Sequence, residues 1–375
     1  MKIKLLYLVI ALFLFSRCEP VEEPIDIQTY EELSDFFNEK ILDDKIAGMA
    51  ACIVRNNQVV WTENFGYANK ENNLSVNNNT LFMLASVSNT VTTTAILQLY
   101  ETGDLSLDAD INNYLPFDVI NPYSPNKPIT CRMLLSHVSG IKDNTTINLY
   151  TYGTDSPISL QNLCEEYFLP QGQYYSDNLN FVNAESGTFY QFSNMGFALL
   201  GYIVEVVSGK NFDTYCEENI FQPLNMTATS WKLADIVLNN KAIPYDDRQN
   251  AYEHFTFADY PNGQLMTTIT DLSHFLIAFM NSGYYGGESL LSPVTIELAK
   301  VIQYGEVQNE YGLGWYYSSA TGEELYGHHG KRIGITTTMF YNQRTHIGAI
   351  ILTNSEDADL LPYLKNMFTV AELQN

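Results

Sequence analysis

Basic residues are scarce in this chain: 19 Lys and Arg stand against 43 Asp and Glu, for a formal net charge of −24. No basic stretch is available to neutralise phosphates, which excludes nucleic-acid binding, and an anionic lipid surface would repel the chain. The acidic surface favours solubility. Cysteine is scarce too. The five cysteines include no Cys-x-x-Cys pair, and His328-His329 lacks further ligands at useful spacing, so neither a metal nor a cofactor is expected.

A membrane-spanning length of apolar sequence is missing from the N-terminus. The apolar run over residues 5–15 is shorter than the ~20 residues a spanning helix needs. It follows Lys2 and Lys4 and ends before Ser16-Arg17-Cys18, the layout of a secretory signal over residues 1–17. Cys18 opens an acidic, proline-containing stretch. Phe15-Ser16 suits the positions ahead of an acylated cysteine, whereas Arg17 stands where a small residue is usual. The expectation is an exported bacterial envelope protein lipidated at Cys18, with residues 18–30 as a tether to the membrane. Plain secretion and an uncleaved anchor are the alternatives. Cys52, Cys131, Cys164 and Cys216 are widely spaced, and their pairing stays open. Cys52 and Cys131 lie in apolar contexts that suit buried thiols.

Apolar and aromatic residues are plentiful. The 375 residues are 46% hydrophobic and include 26 Tyr and 20 Phe, enough for one large domain or two intimate subdomains. Residues 31–45 carry helical spacing, and residues 49–62 read as a β-hairpin about Arg55-Asn-Asn57. Helical patterns follow over 87–103, 129–135, 195–207 and 268–279, with long loops between. Strands are expected at 311–317, 335–341 and 347–353, then a helix over 357–371. Strands at both ends and a helical middle predict an α+β fold. An antiparallel sheet flanked by helices forms one lobe (31–103 and 261–375), and a helical subdomain (104–260) forms the other, with a cleft between them.

The chemistry-bearing segment is Phe82-Met-Leu-Ala-Ser86-Val-Ser-Asn89, leading into a helix that stops at Gly103. Ser86 falls at the first turn, with Asn89 one turn later on the same face. In the Ser-x-x-Lys motif the fourth residue is a lysine that shares in deprotonating the serine. Asparagine cannot accept a proton near neutral pH. Taken alone, Ser86 is explained equally well as a helix-capping serine.

Other segments fall into the same order. Leu134-Leu-Ser-His137-Val-Ser-Gly140, Phe192-Ser193-Asn194, Tyr311-Gly-Leu-Gly-Trp315 and His328-His329-Gly330-Lys331 together resemble the motifs of the serine β-lactamase-related family. That family includes class C β-lactamases, D-alanyl-D-alanine carboxypeptidases and esterases. The resemblance runs from about residue 31 to 370. It implies the fold inferred above and acyl transfer through a serine acyl-enzyme. It makes Ser86 the ancestral nucleophile and places the oxyanion hole at the N–H groups of Ser86 and Lys331, beside Gly330. It also implies that Asn89 replaces the lysine and Phe192 the proton-shuttling tyrosine, while Asn194 remains to orient a substrate amide. Asn89 is expected to hydrogen-bond Ser86 and Asn194.

His328 stands at a basic or polar position, where it would bind a carboxylate, act as a base or serve only as a hydrogen-bonded strand histidine. His137 is expected to be structural. Two function classes follow. The first is a pseudohydrolase whose cleft binds a small molecule or peptide, for instance a peptidoglycan fragment. The second is an active serine hydrolase with a relocated base drawn from His328, Lys331 or Tyr190. A structural protein with a collapsed cleft is a third.

Overall fold

The computed structural model describes residues 27–374. The expected signal, Cys18 and most of the tether lie outside the described residues. Ile27 is buried, and Thr29 closes a capping box with Glu32 at the start of helix α1 (Tyr30–Asp43). The folded part therefore takes in the last residues of the stretch read as a tether. The Thr29 hydroxyl and Glu32 carboxylate each satisfy a backbone N–H that the first helical turn leaves open.

One seven-stranded antiparallel sheet organises the chain. Its strands are β1 (Gly48–Arg55), β2 (Gln58–Asn69), β3 (Leu74–Ser75), β4 (Tyr316–Ser318), β5 (Leu325–Arg332), β6 (Ile335–Asn342) and β7 (Ile347–Thr353). Their order across the sheet is β4-β5-β6-β7-β1-β2-β3, so the two ends of the chain meet where β7 pairs with β1. Both central strands are covered on both faces, which is why they read as unbroken apolar runs rather than alternating ones. Strand alternation divides them. Met49, Ala51, Ile53, Ala349 and Ile351 pack under α1 and α5 (Leu361–Leu373). Ala50, Cys52, Ile350 and Leu352 join the main core with α2 (Ser88–Thr102), α3 (Asn194–Ser208) and α4 (Ile269–Met280).

Three element expectations need correction. The strand expected at 311–317 is confined to β4, because Gly312 N–H bonds back to the Trp315 carbonyl and Gly314 sits at φ +65, which folds 311–315 into a turn. The last helix begins at Leu361 rather than 357, since Asp357 takes a left-handed φ of 56. Strand β5 went unanticipated, because Gly327-His-His-Gly330 has little β-propensity and is held by pairing with β6. The four cysteines among the described residues are free and buried, and burial pushes the Cys52 and Cys131 thiols up to about 12. No helix among the described residues is long and apolar enough to cross a membrane.

Candidate active site

Ser86 sits in a 3-10 turn, Ala85–Val87, between the short strand Phe82–Met83 and α2. Ala85 enters that turn at φ 47, a left-handed conformation that costs an L-residue about 1–2 kcal/mol. The turn is fixed from two sides. Phe82–Met83 pairs with Met266–Thr267, and the Thr337 hydroxyl on β6 donates to the Leu84 carbonyl at 2.6 Å. Strand β4 pairs with β5 only as far as Gly327, so the later part of β5, paired with β6 on one edge, meets the serine turn on the other. Only glycine fits there. A Cβ on Gly330 would collide with the Leu84 carbonyl oxygen and lie 2.9 Å from the Ser86 nitrogen. The serine amide and the Gly330-Lys331 edge are thus neighbours, as an oxyanion hole requires.

The serine side chain stands alone. Its turn has no side-chain cap, so helix capping does not explain the residue, and among the described residues Ser86 Oγ makes no hydrogen bond. Asn89 is buried one turn on, and neither its Oδ1 nor its Nδ2 has a partner among the described residues. This corrects the expectation that Asn89 bonds Ser86 and Asn194. The Asn194 amide turns instead to Asp143, donating to its Oδ2 at 2.7 Å. Asp143 also accepts from the Asn194 and Met195 backbone N–H groups and from the Ser193 hydroxyl, so this one carboxylate gathers the N-terminus of α3.

Phe192 lines the cavity in front of Ser86, and its ring also stacks on His137 with centroids 4.3 Å apart. The imidazole is fully enclosed. Its Nδ1 accepts from the Ser193 N–H, while burial and then the nearby His328 push its pKa down to about 3. His137 is a packing residue, as expected.

His328 is buried, and its Nδ1 lies 2.6 Å from the His329 carbonyl oxygen. A carbonyl only accepts, so Nδ1 carries the proton and Nε2 faces the Tyr311 hydroxyl at 3.5 Å. Burial, reinforced by His329, pushes its pKa down to about 3, so it carries no charge for a carboxylate. Lys331 points away from the serine. Alternating with Gly330 along β5, it pairs with Asp357 at 2.7 Å on the α5 side. Tyr190 does line the cavity, its ring stacked on Tyr311, but burial, then Glu310, pushes its phenol up to about 12. Ser86, Tyr190, Phe192, Tyr311, Tyr316 and Glu310 share this cavity of about 360 Å³ with the β5 residues His328, His329 and Lys331.

A model of the beta-lactamase family matches residues 28–366. The chain belongs to the beta-lactamase family. Protein flp of Staphylococcus aureus (strain MRSA252) is 27% identical over 314 residues, covering 82% of this chain and 60% of flp. The chain thus spans less than two thirds of that curated relative. A penicillin-binding protein homologue from Pyrococcus abyssi, solved as an octamer, has a TM-score of 0.72 at 24% identity, covering 92% of this chain and 77% of its own. D-amino acid amidase from Ochrobactrum anthropi SV3, solved with L-phenylalanine, has a TM-score of 0.73 at 19% identity, covering 91% and 98%. These two likenesses concern the fold, and they bear out the antiparallel sheet with flanking helices expected from sequence.

For this beta-lactamase-family chain, sequence reasoning named Ser86, Asn89, Phe192, Asn194, Gly330, Lys331 and His328; Ser86 and Asn89 lie on the serine turn and its helix, Gly330, Lys331 and His328 on β5, and Phe192 on the cavity, while Asn194 opens α3 bound to Asp143. It missed Asp143, Tyr311, Tyr316 and Glu310. Tyr311 opens a motif that was recognised for its glycines, so its hydroxyl was legible. Asp143 lies far from α3 in sequence, and nothing local marks it as that helix's cap.

Proposed function

We propose that the protein is a pseudohydrolase of the beta-lactamase family, exported and anchored through lipid on Cys18, whose cleft binds a small molecule or peptide without turning it over. One observation carries this reading: among the described residues Ser86 Oγ makes no hydrogen bond to any group that could take its proton. A positioned general base contributes ~10²–10⁴-fold to such a reaction. The Ser86 and Lys331 amides remain as an oxyanion site, which by itself leaves ~10³–10⁴-fold over water. The losses at Asn89 and Phe192 belong to one proton-handling unit and are not multiplied.

The second reading, an active hydrolase with a relocated base, rests on the Tyr190-Tyr311-His328 chain in the same cavity. It is weaker. The phenols hold their protons well above neutral pH, His328 is a feeble base, and Lys331 is committed to Asp357. Ligands worth testing are peptidoglycan-derived peptides and small esters or amides, in keeping with a fold neighbour named as a D-amino acid amidase.

The deciding experiment incubates the protein with a fluorophosphonate and with a labelled penicillin, reading intact mass alongside Ser86→Ala. The expected outcome is no adduct above the Ser86→Ala background. A stoichiometric, Ser86-dependent adduct within minutes would sink the proposal. The anchor is checked separately by metabolic palmitate labelling, which Cys18→Ser should abolish.

A further inference from the structure

The cavity in front of Ser86 is walled by aromatic rings in several planes. Tyr311 and Tyr316 meet at 62° with centroids 5.2 Å apart, and Tyr316 meets His329 at 77° and 4.9 Å. Tyr190 lies nearly parallel to Tyr311, inclined by 26° at 6.0 Å. Phe192 closes the wall beside them.

The charges around this wall are one-sided. Lys331 is neutralised by Asp357, and His328 is uncharged. Glu310 also lines the cavity, and its carboxylate makes no ion pair or hydrogen bond among the described residues. Its field reaches the walls, where, after burial, it helps to raise the phenols of Tyr190, Tyr311 and Tyr316. The ammonium that the family's motif would place at position 89 is replaced by an uncharged amide, and the one lysine on the cavity's lining, Lys331, is paired with Asp357. The net charge of −24 attracts cations from a distance.

From this arrangement we infer that the cavity selects a ligand bearing an alkylammonium group, held against the rings of Tyr190 and Tyr316, which Tyr311 backs from within, and neutralised by Glu310. The ring quadrupole presents negative charge on its face, and such contacts strengthen when water is excluded. This deepens the proposed function, since it names the ligand class of the same cleft. It also gives the substitution at Asn89 a binding consequence besides the loss of a base.

The test uses calorimetric titration of the full chain with three probes, while acetate release is followed in parallel. The probes are acetylcholine, its carbon isostere with a quaternary carbon in place of nitrogen, and N-acetyl-D-alanine. Acetylcholine is expected to bind roughly tenfold tighter than the isostere, with N-acetyl-D-alanine weaker still. Glu310→Gln and Tyr316→Leu should each erase most of that preference, whereas Tyr316→Phe should retain it. Thermal melting of each variant checks that the fold persists. Equal binding of acetylcholine and its isostere, preference for N-acetyl-D-alanine, or no binding of acetylcholine at millimolar concentration would each overturn the inference. Ser86-dependent acetate release would instead overturn the pseudohydrolase reading and leave the selectivity standing.

Discussion

Phe192 lies flat against His137, their ring centroids 4.3 Å apart and their planes inclined by only 29°. Without a phenolic oxygen, the residue at this position is free to act as packing. The same imidazole meets Phe197 tilted at 5.2 Å and Tyr311 edge-on at 4.9 Å. The position that in the family's motif carries a proton is here part of an aromatic cluster joining the helical lobe to the turn before β4.

Asn89, at the position of the motif's lysine, is packed differently. Its amide is buried with both polar atoms unpartnered among the described residues, and Thr93 Oγ1, one turn further along the same face of α2, is also unpartnered. An unsatisfied buried polar group costs about 1–3 kcal/mol, whereas an apolar residue of the same shape carries no such penalty. Asn89→Leu should therefore raise stability by roughly 1 kcal/mol, read as a higher urea midpoint with an unchanged slope. A destabilisation of similar size would show that the amide has partners and that its asparagine is held for them.

Gly330 tests whether β5 must touch the serine turn. An added Cβ would press on the Leu84 carbonyl, lie 2.6 Å from Thr337 Oγ1 and approach the Ser86 nitrogen at 2.9 Å. Those neighbours belong to backbone or to a side chain already hydrogen-bonded, so they have little room to move. Gly330→Ala should cost about 1–3 kcal/mol, the range for overpacking a tight interior, and should weaken ligand binding in the cleft by displacing β5. The equivalent change at Gly286 is the control, since a Cβ there meets nothing within 4 Å. Gly286 has φ 60, so its variant carries only the backbone penalty. Equal stability losses in the two variants would remove the case for close packing at the site.

Much of this site could be read from residue order alone, because its positions sit on elements with strong local signals. The serine helix announces itself by its apolar lead-in and by Gly103, which takes the left-handed cap at φ 80. What escaped notice depends on contacts across the fold. Asp143 caps a helix that begins at Asn194, and Glu310 becomes part of the cavity only because β4 turns Tyr311 and Tyr316 toward β5. The direction of the Lys331 side chain follows from the β5 register against β6, which a strand of glycines and histidines does not reveal. Burial was equally hidden. His328 looks like a titrating residue in sequence, and only its enclosure makes it neutral.

Lys241 carries the clearest pH signature outside the cleft. It is 5% exposed, its ammonium lies 2.9 Å from His254 Nδ1, and burial pushes its pKa down to about 7. No carboxylate pairs with it among the described residues. Unfolded, the lysine returns to 10.5, so from about pH 7 upward the unfolded chain binds a proton that the folded chain does not. Stability from this group therefore rises with pH above about 7 and falls as pH drops toward it. The buried thiols act in the opposite direction near pH 9, so the wild-type curve alone is ambiguous. The difference between wild type and Lys241→Met cancels them. Lys241→Met should be the more stable protein at pH 7, and its advantage should shrink by about 1 kcal/mol for each pH unit up to about pH 9, close to the 1.36 kcal/mol expected for one full proton. Urea titrations of both proteins at a series of pH values measure this. A difference that stays constant across the range would mean that Lys241 is not held neutral by its burial.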